Sequence, residues 1–147
     1  MPDGRITRRS LIAVPFLGLT GCFGSSTAVV TKDPPRVFFV KPANRANVKS
    51  PFEVVFGVQG FGVRPAGDST LNTGHHHLII DSPAIAAGKS IPFDKNHIHL
   101  GSGPIAPVGT WVDWLSPGPH TLTAQFADGA HVAYGGLLTA TITVVVG

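Results

Sequence analysis

With 147 residues, the chain has room for one ordinary domain and a short leader, and not for two sizeable domains. A hydrophobic share of 43% excludes an intrinsically disordered chain, and a charged share of 13% falls well below the usual share of roughly a quarter. The 18 glycines and 13 prolines argue against a helical bundle and for short strands joined by tight turns.

Arg5, Arg8 and Arg9 make a basic start, and Leu11 to Leu19 follows as an apolar stretch. It is shorter than the roughly 20 residues a membrane-spanning helix needs, so residues 1–21 read as a signal peptide. Thr7-Arg8-Arg9-Ser10-Leu11-Ile12 resembles the twin-arginine export motif. Leu19-Thr20-Gly21-Cys22 resembles the bacterial lipobox, whose cysteine is acylated and becomes the new N-terminus. These signals imply a bacterial cell-envelope protein, exported and anchored to a lipid membrane through Cys22, on the periplasmic or cell-surface side. Removing the leader takes away Arg5, Arg8 and Arg9 against Asp3, which is +2 of the formal +3. The rest carries 8 basic and 7 acidic residues, a net +1, so the pI near 9.4 belongs largely to the leader. No basic stripe remains, and a nucleic-acid partner is not expected. Cys22 is the single cysteine, which excludes an internal disulfide and a cysteine-based zinc site.

Residues 22–35, rich in Gly, Ser, Thr and Pro, read as a lipidated flexible tether. From Arg36 the period is two. Phe52, Val54, Phe56 and Val58 alternate with Glu53, Val55, Gly57 and Gln59, the pattern of a strand with one buried face. Leu122, Ala124 and Phe126 alternate with Thr121, Thr123 and Gln125, and Leu138 to Val146 alternates with Thr139, Thr141 and Thr143. Further strands are expected at 37–40, 75–81, 97–100 and 110–114. Turns are expected at Pro42 to Asn47, Arg64 to Gly67 and Ser116 to Pro119, with Asp128-Gly129 as a hairpin turn. Beyond the leader no window of 11 residues keeps a helical period. The expectation for residues 36–147 is an all-β domain: an antiparallel immunoglobulin-like β-sandwich of about seven to eight strands.

All seven histidines lie in that domain. Gly74-His75-His76-His77-Leu78 puts His75 and His77 on one strand face and His76 on the face of Leu78 and Ile80. His97 and His99 share a face of the second strand. If the two strands are neighbours, four imidazoles can converge from the solvent side. Histidines two apart on a strand sit about 6.5–7 Å apart at the backbone, a spacing from which both reach one ion. Neutral imidazole suits copper, zinc and nickel. His131, just after Asp128-Gly129, is a further candidate ligand. His76 is expected to be half-buried and bonded to a backbone carbonyl, and His120 to anchor a corner by a hydrogen bond. Asp81 and Asp94 flank the two clusters and are candidates to orient the imidazoles by hydrogen bonding. Proton competition at free imidazoles would make binding fall as pH drops through about 6.5.

Several segments occur in a telling order: Val37-Phe38-Phe39-Val40, Ser50-Pro51-Phe52, Phe56-Gly57-Val58, Pro65-Ala66-Gly67, Thr73-Gly74-His75-His76-His77-Leu78-Ile79-Ile80-Asp81 and His97-Ile98-His99-Leu100-Gly101. The series resembles the bacterial exported family catalogued as domain of unknown function 4399, over about Arg36 to Val146. The resemblance implies a secreted or membrane-anchored sandwich with no assigned activity. The chain departs from the pattern at Pro104-Ile105-Ala106, where polar residues are expected, and at Tyr134, where a further histidine is expected.

Enzyme signals are weak. No Gly-x-Ser-x-Gly elbow is present, and Gly101-Ser102-Gly103-Pro104-Ile105-Ala106 matches a dinucleotide fingerprint without the helix that fingerprint needs. Glu53 is the only glutamate, and the aspartates are scattered. Trp111 and Trp114 are expected to pack in the core more than to stack on a ligand. A non-enzymatic role is therefore expected, with no catalytic residues. The leading expectation is a lipoprotein that binds a metal ion, copper before zinc, through His75, His77, His97 and His99, for metal handling or delivery. The rival is a protein-interaction or envelope-structural module with an envelope protein partner, its histidines locking a strand pair by hydrogen bonds.

Overall fold

The computed structural model describes residues 33–100 and 108–147. The leader, the lipobox, most of the tether and the 101–107 loop lie outside the described residues. Nine strands follow in order: β1 Arg36–Lys41, β2 Ala46–Val48, β3 Phe52–Gln59, β4 Gly62–Val63, β5 Thr73–Ile80, β6 His97–Leu100, β7 Val108–Val112, β8 Gly118–Ala127 and β9 Thr139–Val146. Among the described residues the only helical element is a single 3-10 turn, Gly136–Leu138. The fold is all-β.

The strands form two sheets. One is three-stranded, ordered β1-β3-β7; the other is six-stranded, ordered β2-β9-β8-β5-β4, with β6 also on β5. Val37, Phe52, Val54, Phe56 and Val112 of the first sheet share one core with Leu78, Ile80, Leu122, Ala124, Val144 and Val146 of the second. This is a β-sandwich-like arrangement, and the period-two residues make it: each strand sends alternate apolar side chains inward. Phe56 lies at the centre, fully buried, with the Phe39 ring edge-on at 5.9 Å.

The structure corrects two expectations of the fold. The three-stranded sheet is antiparallel, but the six-stranded sheet is mixed: β2 pairs with β9, and β4 with β5, in parallel. Both β2 and β4 are too short, at 3 and 2 residues, to carry an alternation signal, and β2 overlaps a segment expected to be a turn. The hairpin turn expected at Asp128-Gly129 does form: His131 N–H donates to the Asp128 carbonyl, Asp128 N–H to the Val132 carbonyl, and Ala127 pairs antiparallel with Ala133, before the chain goes on to β9. There the Asp128 carboxylate accepts hydrogen bonds from the backbone N–H groups of Ala130 and Val132, both at 2.9 Å. Such a local bond mimics a backbone turn and lets the chain run on. Finally, Trp111 and Trp114 are exposed, at 62% and 52%, and not in the core.

Strand β5 is the exception to half-burial. All eight of its residues are buried. Its inner face meets the core, and its outer face is covered by the β5–β6 connection. Gln125 on β8 clamps that connection: its amide donates to the Ile85 carbonyl at 2.6 Å, and its carbonyl oxygen accepts from the Ile85 N–H at 2.9 Å. Residues 88–91 then pair with the 131–133 segment: Gly88 N–H donates to Ala133 O, Ala133 N–H to Lys89 O, and Ile91 N–H to His131 O. Ile91, Ala127 and Ala133 close a small apolar cluster beneath the strap.

Candidate metal centre

Strand β5 pairs with β6 on one side and β8 on the other. The register sets His77 opposite His99, and the two rings stack at 5.1 Å with an interplanar angle of 21°. His75 stands two residues along β5 on the same face, as parity requires, with its ring 4.8 Å from His77 and 4.5 Å from His99. The fourth ring is that of His131. It comes from the β8–β9 connection and lies 4.7 Å from both His75 and His99. Its backbone is left-handed, with φ 65°, a conformation that costs a non-glycine residue energy. The bond from Ile91 N–H to its carbonyl and the Asp128 turn hold it there.

One ligand nitrogen from each of His75, His77, His99 and His131 lies within 4.8 Å of the other three. In tetrahedral coordination with metal–nitrogen bonds near 2.0–2.1 Å, neighbouring nitrogens stand about 3.4 Å apart. Small ring rotations close that gap. Among the described residues the nitrogens face no competing partner: both ring nitrogens of His75 and His77, and Nε2 of His99, are buried without a hydrogen bond. An unpartnered buried polar atom costs about 1–3 kcal/mol, so several side by side call for a ligand that they share. The group contains imidazoles alone, with no carboxylate or thiolate. An open depression of about 340 Å³, lined by His77, His99, His131 and residues 90–93, connects it to the surface.

The electrostatics favour the neutral, metal-ready form. Burial pushes His75 down to about 4, with His99 and His131 adding repulsion and Asp128 opposing it. Burial, with the repulsion of its histidine neighbours, takes His77 to about 3. His99 is lowered by burial and by His131. A proton therefore competes at His75 and His77 far below the pH of 6.5 expected of free imidazole.

The remaining predicted site residues lie elsewhere. His97 is not in the group; its Nδ1 bonds the Asp94 carboxylate at 2.8 Å. Asp94 also accepts from the N–H groups of Asn96 and His97, and these bonds lower its pKa. The tight Asp94–His97 turn thus takes His97 out of the set that parity allowed, and it commits Asp94 to that turn. Asp81 is equally committed, to His120 Nδ1 at 2.6 Å and to the Thr121 N–H at 2.8 Å. Neither aspartate orients a ring of the group. His76 is fully buried between Phe56 and Phe126, each ring 4.9 Å away, and neither of its nitrogens meets a carbonyl. On the inner face of β5 the two phenylalanine rings, and not carbonyls, take the places beside His76. The signal that could have found the strap is Gln125, which shares the outward parity of His77 on the neighbouring strand.

His120 does anchor a corner. Nδ1 faces the Asp81 carboxylate at 2.6 Å and Nε2 the Ser116 carbonyl at 2.8 Å, two acceptors that the protonated ring satisfies at once by donating from both nitrogens. The Asp81 bond leads the upward shift of its pKa. Stability from this pair is complete below about pH 6.5 and is lost as pH rises through the raised value. The loss of stability in His120→Ala, read by urea melts, should accordingly be larger near pH 6 than near pH 9. An equal loss at both would mean that the ring only packs.

A family model described as "Domain of unknown function (DUF4399)" matches residues 54–147. The chain belongs to this family. All four histidines of the group fall inside the matched segment, as do β5, β6 and the connection that supplies His131. No curated protein and no solved structure matched the chain.

Proposed function

We propose that this family member binds one metal ion through His75, His77, His99 and His131, and that it handles or delivers that metal outside the cytoplasm. The observation that carries the reading is the packing of unpartnered, buried imidazole nitrogens within 4.8 Å of one another. Copper is the favoured ion. An all-imidazole set suits copper, zinc and nickel, and copper stands highest in the affinity order of divalent metals. Zinc is the second choice. The opening beside Phe93, an 88% exposed ring, gives the ion a short path in and out, which suits transfer more than permanent structural burial. The rival strand-lock reading asks the rings to bond carbonyls, and the unpartnered nitrogens speak against it.

Calorimetric titration with copper and with zinc tests the proposal. One ion should bind per chain at pH 7.5, copper tighter than zinc. Because His75 and His77 stay neutral down to about 4 and about 3, protons should displace the ion from these two ligands only near and below pH 4. Absence of a stoichiometric site at pH 7.5 would refute it.

The same reading places the protein in a bacterial cell envelope, held by acylated Cys22 to a lipid membrane. Its support is Leu19-Thr20-Gly21-Cys22 behind a basic, apolar leader. Cys22→Ser should move the protein from the detergent-extracted membrane fraction into the soluble export fraction. Unchanged membrane retention would contradict the anchor.

A further inference from the structure

We infer that the outer face of the three-stranded sheet rests on the phospholipid surface beside the anchor. In β1 the inward residues are Val37 and Phe39, so Phe38 faces out, with Val40 in the bulge that follows Phe39. In β7, Val112 enters the core and Trp111 faces out, opposite Glu53. Phe38, Val40, Trp111 and Trp114 are all exposed, between 38% and 62%. They include both tryptophans of the chain. Phe38 and Trp111, left in water on the sheet face, and Trp114, exposed two residues past the end of β7, imply a cover, and tryptophan is the side chain that settles best at a headgroup boundary.

The charges beside these rings fit the same partner. Arg36 holds its guanidinium 5.9 Å over the Phe38 ring, and Lys41 lies on the same face, paired with Glu53. Long cationic stems lie along apolar surface while their heads reach lipid phosphates. The tether also leaves from this sheet. Asp33, just before β1, accepts a hydrogen bond from Gln59 Nε2 at the end of β3. Only ten residues separate Asp33 from Cys22, a span of at most about 40 Å when fully extended. That reach exceeds the roughly 20 Å length of β1, so an anchored chain can lay this face flat on the membrane. The placement rests on the anchor proposed above; the affinity of the face for lipid does not.

The two tryptophans make the test direct. The chain purified from membranes is reconstituted in phosphatidylethanolamine–phosphatidylglycerol vesicles, and its fluorescence is read with brominated lipid and with aqueous iodide. Bromolipid should quench the emission and iodide should not. Phe38→Asp combined with Val40→Asp leaves both tryptophans and all four metal-site histidines in place; it should reverse that pattern while copper binding stays unchanged. Trp111→Ser, with Trp114 as reporter, should behave likewise. Should mass analysis show no lipid on Cys22, the chain is mixed with the same vesicles instead. Partitioning that weakens about tenfold in each variant then supports the face, and failure falls on the anchor alone. Iodide-quenched, bromolipid-insensitive emission in the wild type overturns the proposal, whether the face is bare or covered by a protein. So does equal partitioning of wild type and variants.

Discussion

Replacing His131 by alanine is expected to weaken copper binding by more than about 100-fold, beyond what loss of an outer hydrogen-bonding partner costs. His97→Ala should leave affinity within about tenfold of wild type. The contrast follows from geometry. His131 brings a nitrogen within 4.8 Å of those of His75, His77 and His99. The His97 ring faces Asp94 instead, although it stands on the same strand face as His99. Competition titrations against a copper chelator measure both variants on one scale, with circular dichroism confirming the fold. The reverse result, with His97→Ala binding poorly and His131→Ala binding well, would restore the strand-only set and remove the β8–β9 connection from the site. His75→Ala with His77→Ala should bind no better than His131→Ala, because two of four ligands are gone.

Gly74→Ala is expected to cost more than about 4 kcal/mol, enough to prevent folding of a marginal domain. A Cβ at Gly74 would fall inside the Ala127 carbonyl oxygen, 2.9 Å from its carbon and 3.1 Å from the Phe126 ring. These are backbone and core atoms, and they cannot swing away as an exposed side chain can. The close approach sits where β5 meets the end of β8, one residue before His75. Relief by a register slip would turn His75 and His77 to the opposite face. Gly88→Ala makes the comparison: nothing lies within 4 Å there, and only its left-handed φ of 75° is strained, for a cost of about 1–2 kcal/mol. Urea melts of both variants check the pair. A Gly74→Ala protein as stable as Gly88→Ala would mean that β5 and β8 do not approach as described.

Alternation made the long strands legible, because β3, β8 and β9 each divide apolar from polar residues. It also gave the shared face of His75 and His77. It could not report the cover on that face. Strand β5 is buried on both sides, by the core on one and by the β5–β6 and β8–β9 connections on the other, so the histidines expected at the solvent side lie enclosed. The same cover changes the chemistry. A solvent-facing imidazole would titrate near 6.5, whereas His75 and His77 are pushed to about 4 and about 3. Parity also grouped His97 with His99, and a three-residue turn to Asp94 undid that grouping. His131 was legible only as a histidine after a turn; its place depends on an Asx turn and a left-handed backbone. Trp111 was misplaced because size and aromaticity argue for a core, while its neighbour Val112 takes the inward position.

Protein stability should respond to the site as well. His75 and His77 bind fewer protons folded than unfolded between about pH 4 and 6.5, so stability is complete above that window and declines as pH falls through it. X-ray absorption of the copper-loaded chain at pH 7.5 reads the ligands of the proposed site directly. Four imidazole nitrogens near 2.0 Å, with imidazole multiple scattering, are expected, with one imidazole lost in His131→Ala. A shell of oxygen or non-imidazole nitrogen, or a spectrum unchanged in His131→Ala, would contradict the four-histidine site.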